Sequence, residues 1–216
     1  MEECPSPIKH HNIGANMSNY KKLRINSPTR MDAWNLLCKY TKSEALRRHA
    51  LAVEQVMRNL AIKYGEDPHV WGMTGLLHDF DYEQYPTKEE HPYMGNKILE
   101  ELGYPEDIRL AIMGHASYTG VPRDSLMAKA LFSCDEITGL IFAVTFVRPS
   151  KSIHEVKVKS VKKKLKQKSF AASVNREEVE QGIIELGVDR NEHIQFIIDA
   201  LKERAEELGL AGNYQK

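Results

Sequence analysis

The chain has 216 residues, of which 42% are hydrophobic and 28% charged. This composition is typical of a folded globular protein and excludes a wholly disordered or collagen-like chain. Thirty basic side chains balance thirty acidic ones, so the net charge indicates no partner. The longest apolar stretch, residues 140–147, is far shorter than the roughly 18 residues that span a bilayer. Residues 1–30 contain no apolar core of a signal peptide, and we therefore expect a cytoplasmic protein without a membrane segment.

The N-terminal part combines an irregular segment with the first predicted helices. Residues 1–28 mix Pro, Asn, Ser and Gly without apolar periodicity, which predicts a mobile tail. From Met31 onward the apolar positions recur every three or four residues, as in a helix packed on a core. Thr41 and Glu44 have the spacing of a capping box at the start of a long helix, and Gly65 is placed to end it.

The pattern stays helical towards the C-terminus. Pro68 begins an apolar helix over residues 69–80. Further helices are predicted over 88–102, 105–116, 122–147, 152–168, 175–187 and 190–208. No run of alternating apolar and polar residues is long enough for a sheet. We therefore predict an all-α fold in which residues 29–150 form one helical domain. Residues 151–216 are expected to form additional helices that pack on this domain or on a second copy of the chain, as in a homodimer.

The charges are segregated along the chain in spite of the zero net charge. Residues 151–168 carry eight lysines and one acid, Glu155, and they lie between two acidic segments. A helix with this pattern presents lysines on most of its surface. Such a surface can be simply solvated, can attract an anionic substrate to a nearby site, or can bind nucleic acid or a membrane. Nucleic acid and membrane are the less favoured partners, because no aromatic residues alternate with the lysines before Phe170.

Four histidines and two aspartates are the candidates for chemistry. Each lies on or at the end of a predicted helix: His49, His78, Asp79, His91, His115 and Asp135. A lone histidine at such a position is often a core or capping residue. Asp135, however, lies inside an apolar segment, where an unpaired carboxylate would cost several kcal/mol. When these helices pack together, the four imidazoles and two carboxylates form a set that indicates a bound cation. Imidazole with carboxylate suits Mn, Fe, Zn, Co and Ni better than Mg or Ca.

In these histidines and aspartates the sequence resembles the HD superfamily of metal-dependent phosphohydrolases. The signature of that superfamily is a His, a His-Asp pair and a later Asp, all on helices. His49, the pair His78-Asp79 and Asp135 stand in this order. The resemblance covers about residues 42–148, and the chain is also similar to small bacterial HDIG-domain proteins. It implies an HD-domain helical bundle with additional C-terminal helices.

Two further histidines resemble the dinuclear branch of the superfamily. His91, in the motif His91-Pro92-x-x-Gly95, is similar to an element of the HD-GYP cyclic-dinucleotide phosphodiesterases, and His115 takes the next position. The HD-type di-iron oxygenases also place two histidines between the His-Asp pair and the last Asp. The loop that gives the HD-GYP proteins their name is absent after His115, which argues against cyclic di-GMP as the substrate.

The resemblance implies two divalent cations, with Fe, Mn or Zn favoured over Mg, Co or Ni. Asp79 would be the bridging carboxylate. One cation site would be completed by His49, His78 and Asp135, and the other by His91 and His115. Asp79 and His78 are the predicted catalytic residues, since two cations about 3.5–4 Å apart activate a water and hold the phosphoryl oxygens during its attack.

Three further residues are candidates for binding the substrate. Asp81 and Tyr82 follow the His-Asp pair and would either orient a ligand or cap the helix. Arg148 follows an apolar helix and would either reach a phosphate or bind the last carbonyls of that helix.

These residues lead to three hypotheses on function. We predict a phosphohydrolase that acts on a small anionic phosphate mono- or diester, of which nucleotides are one class. An HD-type di-iron oxygenase would use the same ligands, and oxygen-dependent turnover would identify it. A non-catalytic module that binds metal or nucleotide is the third hypothesis, and it is disfavoured because all six ligand types are present.

Overall fold

The computed structural model describes residues 28–212, and within this range the chain forms nine α-helices and no β-strand. The prediction of an all-α fold is confirmed. Of the predicted tail, residues 1–27 lie outside the described residues. The helices are α1 (Arg30–Tyr40), α2 (Glu44–Tyr64), α3 (Pro68–Leu77), α4 (Tyr93–Glu101), α5 (Glu106–His115), α6 (Leu126–Phe146), α7 (Val158–Leu165), α8 (Arg176–Leu186) and α9 (Arg190–Lys202). None of the helices described is both long and apolar enough to cross a bilayer.

The two longest helices, α2 and α6, form the centre of the packing. Helix α2 packs against α3, α6 and α9, and α6 packs against α2, α5 and α8. On α2 the buried positions Val53, Val56 and Leu60 recur at helical spacing and have no exposed surface. Helix α6 is buried on nearly all sides, which agrees with its almost continuous apolar sequence. A charged side chain in the middle of α6 therefore needs partners from the neighbouring helices.

The start of α2 differs from the prediction. Ser43, not Thr41, is the N-cap residue, and its hydroxyl accepts a hydrogen bond from the backbone N–H of Leu46. The hydroxyl of Thr41 instead donates to the carbonyl oxygen of Phe80, at 2.8 Å, so it ties the end of α1 to the turn after α3. The end of α2 is as predicted: Gly65 has φ of +74°, a left-handed conformation that glycine adopts without strain.

Several predicted helices are shorter in the structure. The helix over 69–80 ends at Leu77, and residues 78–84 form successive turns. Its neighbour begins at Tyr93 instead of residue 88. The Ser125 hydroxyl caps α6, so this helix begins at Leu126 instead of residue 122. These turns bring polar side chains to the helix ends, where the candidate site lies.

Two more predicted helices are also shortened. The range 152–168 is divided into a 3-10 turn, Ile153–Glu155, and the short helix α7. The last predicted helix ends at Lys202, and turns follow it.

The C-terminal helices pack directly on the first six. Helix α8 approaches α6 so closely that a Cβ atom at Gly182 would lie 2.7 Å from the Cα atom of Ser133. The Nε2 atom of His193, on α9, donates to the carbonyl oxygen of the same serine at 3.0 Å. These contacts hold α8 and α9 against the helix that carries Asp135.

A buried ion cluster joins the two ends of the described chain to α2. The carboxylate of Glu54 has no exposed surface and forms two hydrogen bonds with Arg30, at 2.6 and 2.7 Å. Arg204 and Arg58 contact the same carboxylate at 3.3 and 3.7 Å. Burial raises the pKa of Glu54, but the arginines, Arg30 above all, outweigh burial and hold this pKa below its ordinary value.

Replacing Glu54 with glutamine is expected to lower the free energy of unfolding by about 3–5 kcal/mol, because three guanidinium groups lose their buried counter-charge. Urea unfolding at pH 7 measures this change. The control is Glu207→Gln, which removes a partly exposed partner of Arg204 and should cost at most about 1 kcal/mol. If the two substitutions lowered the free energy of unfolding equally, the buried charge of Glu54 would contribute no more to stability than an exposed one.

The stability difference between the wild type and Glu54→Gln is expected to depend on pH. Because folding lowers the pKa of Glu54, its contribution is fully present above the unfolded value, near 4.5. The contribution is lost as the pH falls through the lower folded pKa. Unfolding curves between pH 7 and pH 3 should therefore converge on the acidic side. A gap that stays constant over this range would contradict the assignment to the Glu54 charge.

Candidate metal centre

The fold gathers all six predicted ligands at one place. They come from α2, from the turn after α3, from the turn before α4, from the end of α5 and from the middle of α6: His49, His78, Asp79, His91, His115 and Asp135. They form two groups, and within each group the potential ligand atoms lie within 4.8 Å of one another. We refer to them as the His49 group (His49, His78, Asp135) and the His91 group (Asp79, His91, His115).

The His49 group is built between α2, α3 and α6. Oδ1 of Asp135 lies 2.9 Å from Nε2 of His49 and 3.2 Å from Nε2 of His78. The rings of the two histidines meet edge to face, with their centroids 5.2 Å apart. The carboxylate that α6 buries is thus surrounded by imidazoles from two other helices.

The His91 group is built around Asp79. Oδ1 of Asp79 lies 3.2 Å from Nε2 of His91 and 3.2 Å from Nε2 of His115. The two Nε2 atoms are themselves 3.4 Å apart. Two imidazole nitrogens and one carboxylate oxygen therefore converge on a small volume.

Asp79 also contacts the His49 group. Its second oxygen, Oδ2, lies 3.4 Å from Nε2 of His78. One carboxylate thus presents Oδ1 to one group and Oδ2 to the other. This is the position that a bridging ligand requires.

Two of the imidazoles are oriented by backbone carbonyl oxygens outside the cluster. Nδ1 of His78 donates to the carbonyl oxygen of Gly75 at 2.8 Å, and Nδ1 of His115 donates to the carbonyl oxygen of Ile112. Because each Nδ1 donates outward, each Nε2 faces the cluster, where it can bind a cation in place of a proton. Nε2 of His78 is buried and makes no well-aligned hydrogen bond, although carboxylate oxygens of Asp135 and Asp79 lie 3.2 and 3.4 Å away. A buried nitrogen without a well-aligned partner is costly, and a cation beside the two carboxylates would satisfy it.

The charges of the cluster are strongly coupled. Burial disfavours the charged form of His78, but the Asp79 and Asp135 carboxylates outweigh burial and raise the pKa of His78 well above its ordinary value. Burial also lowers the pKa of His91, but the carboxylates of Asp79 and Asp81 outweigh burial and raise this pKa to about 9. In spite of burial, the imidazoles hold the pKa values of Asp79 and Asp135 below their ordinary range. A cation that binds here replaces these protons as the counter-charge, so the residues fit a divalent ion.

Asp81, a predicted substrate contact, lies in the interior behind His91. It is buried, and both of its oxygens are engaged: Oδ1 accepts from Nδ1 of His91 at 2.8 Å, and Oδ2 accepts from the backbone N–H of Gly95 at 2.7 Å. A substrate cannot reach this carboxylate, so the expectation of direct substrate contact is wrong. Gly95 permits the arrangement, because a Cβ atom there would lie 2.7 Å from the Asp81 carboxyl group.

Two tyrosines flank His91 at the surface. Tyr82, a predicted substrate contact, is exposed and its ring meets that of His91 edge to face, with centroids 5.3 Å apart. Tyr118 was not predicted: its hydroxyl donates to the backbone carbonyl of His91 at 2.7 Å, while its ring stays partly exposed. Burial, with the charges of Asp79 and Asp81, raises the pKa of Tyr118 to about 12. No sequence pattern marks Tyr118 beyond its place three residues after His115.

The structure does not bring Arg148 to the cluster. The rise of about 1.5 Å per residue places Phe146, the last residue of α6, about 16 Å along the axis from Asp135. Arg148 follows beyond this end, and its Nε lies 3.6 Å from Oε2 of Glu155. A small phosphate held between the six ligands is therefore out of its reach.

Comparison with protein families matches residues 46–138 to the family model described as the HD domain. The match begins within α2 and ends within α6, so it includes every residue of the His49 and His91 groups. Comparisons with curated proteins and with solved structures gave no match.

Replacing Asp81 with alanine is expected to weaken cation binding by roughly 10- to 100-fold, because the ring of His91 loses the partner of its Nδ1 atom. Titration calorimetry of Mn²⁺ into metal-depleted protein measures the affinity. Asp81→Asn keeps an acceptor oxygen and should recover part of the loss. Asp124→Ala removes an exposed carboxylate elsewhere and serves as the control. Wild-type affinity in Asp81→Ala would contradict the positioning role of Asp81.

Proposed function

We propose that this chain, whose residues 46–138 form an HD domain, is a phosphohydrolase that uses two divalent cations to cleave phosphate mono- or diesters. HD-domain proteins are generally metal-dependent phosphohydrolases. The observation that carries the dinuclear part of the proposal is the position of Asp79, with Oδ1 towards His91 and His115 and Oδ2 towards His78. One carboxylate shared by two ligand groups is the arrangement that suits a pair of cations.

The chain's own residues divide the work of holding such a pair. His49, His78 and Asp135 would hold one ion, and His91 and His115 the other, with Asp79 between them. When bound, two divalent ions make water nucleophilic near neutral pH and neutralise the charge on phosphoryl oxygens. The outward Nδ1 hydrogen bonds of His78 and His115 orient the imidazoles before an ion binds.

The exposure of the ligands indicates the side from which the substrate arrives. His78 is fully buried, whereas the side chains of Asp79 and His49 remain 25% and 21% exposed. The open side of the cluster therefore lies over these two residues. Tyr82 is exposed beside His91, and we propose that its ring contacts the organic part of the substrate. A small anionic phosphate ester is the class of substrate that this opening and ligand set favour.

Metal content is the first test of the proposal. Protein purified without chelator should contain about two equivalents of Fe, Mn or Zn by elemental analysis. The same preparation should then release product from chromogenic phosphate mono- or diesters, with equal rates in air and under nitrogen. Turnover that requires oxygen would replace the proposal by an oxygenase. Bound metal without any turnover would favour a binding module.

Two substitutions separate the roles of the groups. Asp79→Ala is expected to abolish hydrolysis and to reduce the content of both cations, because each group loses its shared oxygen. His91→Ala is expected to reduce the metal content by about one equivalent, since the His49 group stays complete. Elemental analysis and circular dichroism of both variants check this difference. An unchanged metal-to-protein ratio in His91→Ala would reduce the site to a single cation.

A further inference from the structure

A second polar site lies outside the metal centre, where α7, α8 and the start of α9 meet. It is a cavity of about 250 Å³. Its lining comprises Lys162, Leu165, Lys166, Arg176, Glu180 and Arg190. We refer to it as the basic cavity, because four of these six side chains are cations and one is an acid.

The positive charges of the basic cavity are only partly compensated. Glu180 pairs with Arg190, so these two cancel. Nζ of Lys162 donates to the amide oxygen of Asn191 at 2.7 Å, which brings no negative charge. Among residues 28–212, no carboxylate forms an ion pair with Lys162, Lys166 or Arg176. Three cations therefore remain around one small volume.

Arg176 is built into the cavity wall. Its guanidinium group donates to the backbone carbonyls of Phe170, Ala171 and Val174, which fixes the turn before α8. The carbonyl oxygen of Gln167 accepts from the same group, so both terminal nitrogens of Arg176 are engaged by neutral partners, and its Nε atom is buried. The guanidinium group is thus held in place, and it contributes a positive charge to the cavity that its neutral partners do not compensate.

The size of the basic cavity limits its ligand. Pockets that enclose a drug-sized molecule have volumes of roughly 300–1,000 Å³. The basic cavity, at about 250 Å³, is smaller, and five of its six lining residues carry a charged group. It matches one or two phosphoryl groups better than an intact nucleotide. Phosphoryl oxygens are also the acceptors that lysine and arginine bind through charge-assisted hydrogen bonds.

We propose that Lys162 and Lys166 bind a phosphate-bearing anion in the basic cavity, beside the positive charge of Arg176. The site is distinct from the six ligands of the metal centre, and it does not depend on the phosphohydrolase proposal. A short connection nevertheless links the two sites: the backbone N–H of Asn175, next to Arg176, donates to Oε2 of Glu136, which follows Asp135. The anion is therefore either a remote phosphate of the substrate or a separate phosphate compound.

Inorganic pyrophosphate is a direct probe of the basic cavity. It is titrated calorimetrically into the full chain after metal has been removed, so that no cation can bind the probe at the metal centre. The double variant Lys162→Gln/Lys166→Gln should weaken binding by about tenfold or more, because two charge-assisted contacts are lost. The control is Lys159→Gln/Lys163→Gln, which removes the same charge from exposed positions of α7 that do not line the cavity. Its affinity should fall by less than about threefold, through the weaker general field.

The result decides the proposal in either direction. Equal weakening by the two double variants would mean diffuse attraction by the lysine-rich helix, and it would overturn the proposal. No measurable binding of pyrophosphate to the wild type would overturn it as well. All four lysines are at least partly exposed, so we expect both variants to fold. Thermal unfolding checks this.

Hydrolysis by the metal-loaded variants distinguishes the two sources of the anion. A KM that rises about tenfold for the cavity variant, with an unchanged KM for the control, assigns the site to a phosphate of the substrate. Unchanged KM values with lost pyrophosphate binding assign it to a separate anion. If the wild type shows no hydrolysis, the phosphohydrolase proposal fails, while the calorimetric result on the basic cavity still stands.

Discussion

The contact between Asp79 and imidazoles on both of its sides is the interaction on which the rest of the molecule depends. Two carboxylates are held together in a largely apolar interior, and each would destabilise the fold if it stood alone. Asp79 and Asp135 become tolerable only because α2, α5 and the turns after α3 and before α4 direct histidines at them. The packing of these helices is therefore inseparable from the charge that they enclose. Protons can supply part of the counter-charge, and divalent ions can supply it with better geometry.

Helix α2 contributes to two charged clusters with opposite character. Glu54 is enclosed by three arginines, so that cluster carries its own compensation and has no need of a ligand. His49, little more than one helical turn away, belongs to a cluster in which the buried Nε2 of His78 faces two carboxylates without a well-aligned hydrogen bond. The first cluster joins parts of the fold, and the second has the donor set of a cation site. Burial alone would not have separated these roles, whereas the donor and acceptor partners do.

The helical fold and the six candidate ligands could be predicted from the sequence, because apolar periodicity and the order of His and Asp residues are properties of the chain itself. The cap of α2 was wrong by two residues, since Thr41 and Ser43 are both good caps and only the contact of Thr41 with Phe80 decides between them. Asp81 could not be assigned from spacing, because its partners lie 10 and 14 residues away and meet it only after folding. The metal-binding roles of the six residues stay a prediction.

His91 is secured through both its side chain and its backbone. Asp81 fixes its ring, Tyr118 binds its carbonyl oxygen, and Tyr82 packs against its outer face. His49 has no comparable support in the described part of the chain and is more open to solvent. The two halves of the centre would therefore differ in rigidity. An ion beside His91 would be held in a preformed site, whereas an ion beside His49 would exchange more readily and respond first to changes in the surrounding solution.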